Sequence, residues 1–200
     1  MLDAKLRPLI DPPLNALGRL IASVGIGANS VTMAGMILGL GAAIMIAQSH
    51  VLSGLALIML SRVFDGLDGA VARATKITDF GGYLDIVADF AFYIAVPVGF
   101  AFASPENMPF ALLLVASFTL TGISFLSFAV LAAKRGLETA DHGQKSFLYN
   151  TGLAEGAETI AAFVLMCLFP GHFAIIASIY AIMCLLTVIQ RSVAAFITFK

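Results

Sequence analysis

Residues 62–89 read RVFDGLDGAVARATKITDFGGYLDIVAD, and four of the five aspartates in this stretch, Asp65, Asp68, Asp85 and Asp89, fall within or at the ends of apolar runs. An aspartate at the centre of a membrane helix opposes insertion by about 2.5–3.5 kcal/mol, and by less near the ends. Four together oppose it by up to about 10 kcal/mol unless something compensates. Uncharged core packing cannot compensate for that. A cation can.

Spacing sharpens the reading. Asp65 and Asp68 stand i,i+3 on one helix and Asp85 and Asp89 i,i+4 on the next, so each pair projects from one face. The connection from Arg73 to Gly82 is short, which makes the two helices antiparallel neighbours and brings both pairs to one end. Carboxylates without histidine or cysteine suit a hard divalent ion, Mg²⁺ or Mn²⁺, better than zinc. Four of them suffice for two ions, the arrangement that stabilises the attacking and leaving oxygens in phosphoryl transfer. Two such ions balance the four acids, and with Arg73 beside them the loaded site would attract a diphosphate. Gly66, Gly69, Gly81 and Gly82 flank the acids, where a missing side chain lets a ligand approach the backbone. The alternative, a buried Asp–Arg network through Arg62 and Arg73, sets two arginines against four acids.

The surrounding chain is that of an integral membrane protein. Of its 200 residues 60% are hydrophobic and 12% charged, with a mean hydropathy of +0.99. A soluble domain carries about 25% charged residues. The net charge of −1 excludes the strong basic excess of a nucleic-acid binder. Cys167 and Cys184 sit in apolar runs without metal-ligand spacing and read as small hydrophobes. Six spans of bilayer length are expected, at about 31–49, 52–72, 84–103, 109–133, 153–170 and 173–197. Before them, Leu14, Leu17, Ile21 and Val24 recur at helical spacing in a segment interrupted by Asn15 and Arg19, which suits a helix lying in the membrane interface. The expected fold is therefore all-α: a six-helix bundle over 31–200 after an interfacial segment over 1–30, in one membrane domain spanning 1–200.

Charge orients it. The links His50 to Ser53, Ser104 to Pro109 and Pro170 to His172 contain no lysine or arginine. Lys5, Arg7, Arg19, Arg73, Lys76, Lys134, Arg135, Lys145, Arg191 and Lys200 gather on the other side, with Arg62 one turn before the charged end of the second span. Such asymmetry puts both termini, the longer loops and the acids in the cytoplasm, at the inner membrane if the chain is bacterial. Gly35 and Gly39 form a small-xxx-small pair, which serves either a tight helix crossing or a dimer seam.

The run Asp65-Gly66-Leu67-Asp68-Gly69-Ala70-Val71-Ala72-Arg73, followed by Gly81, Asp85 and Asp89, resembles the signature of the CDP-alcohol phosphotransferases, D-x-x-D-G-x-x-A-R then G-x-x-x-D-x-x-x-D. Every fixed position is present; seven residues rather than the usual eight separate Arg73 from Gly81. The six-span layout and the interfacial N-terminal helix are also similar to that family's fold. The resemblance implies a transferase that moves a phospho-alcohol group, here phosphatidyl, from a CDP-linked lipid donor such as CDP-diacylglycerol to an alcohol hydroxyl, releasing CMP in phospholipid biosynthesis. It implies two divalent ions held by Asp65, Asp68, Asp85 and Asp89, with Asp89 also the general base. It implies donor contacts from Gly69, Arg73 and Thr78, and from Asn29 and Thr32 at the opening of the first span. Its expected partners are the lipid donor, a small alcohol or phospho-alcohol acceptor, membrane lipids and a second copy in a homodimer.

The signature does not specify the acceptor. Lys134, Arg135 and Arg191, with Lys145 and Tyr149 nearby, would suit a phosphorylated one. Glu155 and Glu158, i,i+3 near the start of the fifth span, would suit an amine or a neutral polyol, or else clamp helices together. The competing class is a divalent-cation transporter built on the same acids. Transporters set such groups near the midplane between repeated halves, whereas this chain has no internal repeat and keeps its acids near one face.

Overall fold

The computed structural model describes residues 3–136 and 152–200, with side chains from Ile10 onward. All regular structure among them is helical: α1 (Asp3–Ser23), α2 (Ala28–Ala47), α3 (Val51–Ala74), α4 (Asp79–Ala103), α5 (Met108–Lys134), α6 (Gly156–Leu168) and α7 (Phe173–Phe199). Single 3₁₀ turns at Pro105–Asn107 and Pro170–His172 join α4 to α5 and α6 to α7. Lys145 and Tyr149 lie outside the described residues. Among the described residues, four helical stretches are long and apolar enough to cross a membrane: Ala28–Ala47, Asp79–Ala103, Pro105–Lys134 and Pro170–Phe199. Six were expected. The two that fall short do so for identifiable reasons: α3 has 24 residues but carries Arg62, Asp65, Asp68 and Arg73, and α6 has only 13 residues.

One boundary moves in a way that matters. The expected start of the third span near residue 84 is in fact Asp79, because the Thr78 hydroxyl accepts the Gly81 N–H at 3.0 Å and caps the helix. Gly81 and Gly82 therefore belong to the first turn of α4 and not to a link.

Between apolar helices in lipid, close packing and interhelical hydrogen bonds drive association more than the hydrophobic effect does. α2 supplies both against α3 and α4. A methyl group at Gly35 would stand 3.1 Å from Phe64 Cβ, and one at Gly39 would stand 2.8 Å from Phe92 Cδ2 and 3.1 Å from Ser61 Oγ. The small-residue pair thus serves a crossing within the chain. Ser61 Oγ donates to the Gly35 carbonyl at 2.8 Å across the same seam. The core beyond it is aromatic: Phe92, Phe118 and Phe163 meet edge to face or tilted, and Phe100 stacks on Phe173 at 4.6 Å.

The approach to α6 is irregular, with Gly152 and Ala154 buried. Ala154 N–H donates to Thr187 Oγ1 at 3.0 Å and Gly152 N–H to Glu155 Oε1 at 2.8 Å, so α7 and the residue before α6 satisfy a backbone that no helix serves. Non-helical backbone is tolerated at membrane depth only where protein covers it in this way. On the opposite flank, α1 packs on α3 through Gly18, where a methyl group would meet the Ala70 backbone at 2.8 Å.

Candidate active site

The ends of α3 and α4 bring the aspartates together. One carboxylate oxygen each from Asp65, Asp85 and Asp89 lies within 4.8 Å of the others. Oxygens sharing one hard divalent ion at about 2.0–2.6 Å are separated by no more than about 4–5 Å, so this trio fits such an ion. Asp68 is not in the trio. Residues i,i+3 on a helix diverge by about 60°, and this rotation carries Asp68 from the trio's face to a neighbouring cleft. There it is 6% exposed, and its Oδ2 is buried without a hydrogen-bond partner. An unpartnered buried carboxylate oxygen carries a desolvation cost of several kcal/mol that a bound cation would remove.

The cleft has a volume of about 210 Å³. Asn29, Thr32, Gly69, Arg73 and Thr78 all line it, as do Asp68, Asp85, Gly81 and Gly82. The residues that the sequence analysis named as donor contacts thus share one cleft. Ala28 and Asn29 open α2, and Gly81 and Gly82 sit in the first turn of α4, so two helix N-termini face the cleft, that of α4 with its Gly81 and Gly82 N–H groups donated to Thr78. Anions are favoured at such ends. Arg73, in the last turn of α3, and Lys76 add full positive charges to the lining. Thr78 both caps α4 and lines the cleft; Thr32 donates back to the Ala28 carbonyl at 3.1 Å.

Two polar groups in this region, Lys76 and Asn15, are not marked as site residues by the sequence. Lys76 reads from the sequence only as a cytoplasmic charge. Asn15 on α1 accepts two hydrogen bonds from Arg73 through Oδ1, from Nη2 at 2.9 Å and from Nε at 3.3 Å, which ties the N-terminal helix to the cleft wall. Arg62 donates from Nη1 to Asp89 Oδ1 at 2.8 Å and lies 3.4 Å from Asp65 Oδ1. The Asp–Arg alternative is thus half realised: Arg62 pairs with two of the acids, while Arg73 turns to Asn15. One guanidinium cannot balance the cluster.

The acceptor candidates lie elsewhere in the bundle. Arg135 donates to the Thr198 and Phe199 carbonyls at 3.4 and 2.7 Å and lies over the Phe199 ring, closing the C-terminal end of α7. Lys134 ends α5 in an exposed position. Arg191 is half-buried, donates to the Thr121 carbonyl at 3.1 Å and stacks on Phe125. Glu155 caps the approach to α6, and Glu158 lies half-buried in its first turn.

The model of the CDP-alcohol phosphatidyltransferase family matches residues 26–199. The chain belongs to that family. It is 44% identical over 201 residues to the inner membrane protein YnjF of Escherichia coli K12, covering 100% of this chain and 98% of that one. The archaetidylinositol phosphate synthase of Pyrococcus horikoshii is 39% identical over 88 residues, 43% of this chain and 46% of that enzyme. Among solved structures, the phosphatidylinositol phosphate synthase PgsA1 of Mycobacterium tuberculosis with CDP-DAG bound superposes with a TM-score of 0.67 at 19% identity, over 92% of this chain and 93% of that one. Its complex with manganese and citrate gives a TM-score of 0.66, also at 19% identity, over 92% and 88%. At this identity the likeness is one of fold. The chain is therefore a membrane protein of a phospholipid-synthesising transferase family.

Proposed function

We propose that the protein transfers a phosphatidyl group from CDP-diacylglycerol to an alcohol hydroxyl and releases CMP. The observation that carries the proposal is the junction of two features: a carboxylate trio fit for a hard cation, and a cleft with two helix N-termini, Arg73 and Lys76 on its walls. Asp65, Asp68, Asp85 and Asp89 would hold Mg²⁺ or Mn²⁺, which when bound neutralises the diphosphate and stabilises the departing CMP. Asn29, Thr32, Gly69, Arg73 and Thr78 bind the CDP moiety. Gly69, Gly81 and Gly82 leave backbone exposed where the diphosphate lies. Asp89 takes the proton from the acceptor hydroxyl as its oxygen forms the new bond to the β-phosphorus; the bond from that phosphorus to the bridging oxygen breaks, and CMP leaves with that oxygen.

A bilayer crossed six times supports this chemistry. At about 1.5 Å per residue, the 24 residues of α3 reach about 36 Å, enough to span. The 13 residues of α6 reach about 20 Å, and the segment before Gly156 extends them. With the basic residues gathered at one side, both termini and the cleft lie in the cytoplasm and α1 lies along the interface. A water-soluble cytidine head and a lipid tail then meet at one depth. The family likeness also motivates a homodimer, checked by mass photometry in nanodiscs.

The two named synthases put inositol phosphates first in an acceptor panel, with glycerol phosphate, glycerol and serine beside them. The test is purified protein with CDP-diacylglycerol, Mg²⁺ and that panel. CMP release with at least one alcohol supports the proposal. Metal transport into proteoliposomes without CMP release would replace it with the transporter.

A further inference from the structure

Arg62 is the cation that meets the trio. Its side chain is 10% exposed, between the trio and the aromatic core. Below the guanidinium lies the Phe92 ring, 4.0 Å from Cζ to the centroid. Nη2 donates to Ser61 Oγ at 3.2 Å, and that hydroxyl is itself fixed by the Gly35 carbonyl. Phe92 and Ser61 reach these positions because Gly39 has no side chain: a methyl group there would meet both. A planar fork held on a ring and by a second hydrogen bond has one orientation, and Nη1 delivers it to Asp89 Oδ1.

We propose that Arg62 is a positioning residue, whose guanidinium, seated on Phe92 and Ser61, fixes the Asp89 carboxylate in the orientation from which it receives the acceptor proton. The inference rests on the assignment of Asp89 as general base. One Asp89 oxygen is engaged by Arg62, which leaves the other to face the hydroxyl. Hydrogen-bond partners that orient ligating or catalytic groups are worth about 10- to 100-fold in activity. Arg62 also brings positive charge against two acids that would hold a cation, so its loss favours metal binding while it harms turnover. No scaffold role has that pair of effects.

The test is a double-mutant cycle on full-length protein in nanodiscs, reading CMP release, donor KM and Mn²⁺ affinity by electron paramagnetic resonance. Arg62→Gln is expected to lower kcat about 10- to 100-fold, with donor KM unchanged and Mn²⁺ bound as tightly as in the parent or more tightly. Arg62→Lys keeps the charge without the fork and is expected to behave like Arg62→Gln; it also serves should the glutamine variant not fold. Adding Arg62→Gln to Asp89→Asn should lower kcat no further. Full activity in Arg62→Gln, restoration by lysine, multiplying losses in the double variant, or a parallel fall of kcat and Mn²⁺ affinity would each overturn the proposal. Retained turnover in Asp89→Asn alone would remove the base assignment, a failure visible on its own edge of the cycle.

Discussion

The trio makes a prediction whose sign reverses with metal. Asp85 is within 4.8 Å of Asp65 and Asp89, while the ion pairs of Arg62 are with those two only. At an effective dielectric of about 20, two like charges at 4.8 Å repel by about 3 kcal/mol. Asparagine at position 85 removes two such repulsions and leaves both direct ion pairs of Arg62 in place. Because the Asp65 and Asp89 side chains are 37% and 29% exposed, solvent screens most of this. A net gain of about 1–2 kcal/mol remains for the metal-free protein. In chelator at pH 8, Asp85→Asn should therefore melt about 5 °C higher than the parent. With Mn²⁺ at about 100 times its dissociation constant, the parent gains about 2.7 kcal/mol, whereas a variant binding about 100-fold more weakly gains only about 0.4 kcal/mol. The order of stability then reverses. Cys167 and Cys184 are free and buried, so a thiol-reactive fluorophore reports the unfolding directly. A lower melting point in chelator would show that Asp85 holds the fold. An undiminished Mn²⁺ shift would remove it from the metal site.

Asp89→Asn should reduce turnover about 10²- to 10⁴-fold while Mn²⁺-dependent donor binding survives, whereas Asp65→Asn loses both; calorimetry beside CMP release separates them, and equal loss of binding would make Asp89 a ligand first. Asn15→Ala frees Arg73 and is expected to raise donor KM about 3- to 10-fold with kcat unchanged, the scale of an exposed charge-assisted hydrogen bond; an unchanged KM would detach α1 from the donor site. In a cysteine-free background, cysteines at Lys76 and Glu106 should be labelled from opposite faces of the membrane, Lys76 from the cytoplasm; labelling from one face would overturn the six-span reading.

The sequence discloses the acids because charge in apolar runs is costly wherever the helices go, and the i,i+4 spacing of Asp85 and Asp89 needs only local geometry. The same holds for the cleft, whose lining comes from three adjacent helix ends. What it does not disclose depends on rotation and distance. Asp68 departs from the trio because i,i+3 residues diverge around the helix. Asn15 meets Arg73 across 58 positions, and nothing in the pattern of α1 distinguishes that asparagine from any interruption of a greasy face. The support of Arg62 passes through Gly39, a residue legible as small but not as the seat of Phe92. Arg135 reads as one of a basic pair and proves to close the end of α7, 64 positions away, again a long-range contact.

The most direct measurement is the stoichiometry of product lipid to CMP, by mass spectrometry, for purified protein with CDP-diacylglycerol and the acceptor panel, in Mg²⁺ and in chelator. The account predicts one phosphatidyl-alcohol per CMP in Mg²⁺, neither product in chelator, and neither from Asp65→Asn. CMP formed equally in chelator, or no CMP with any alcohol from folded, metal-loaded protein, would contradict it.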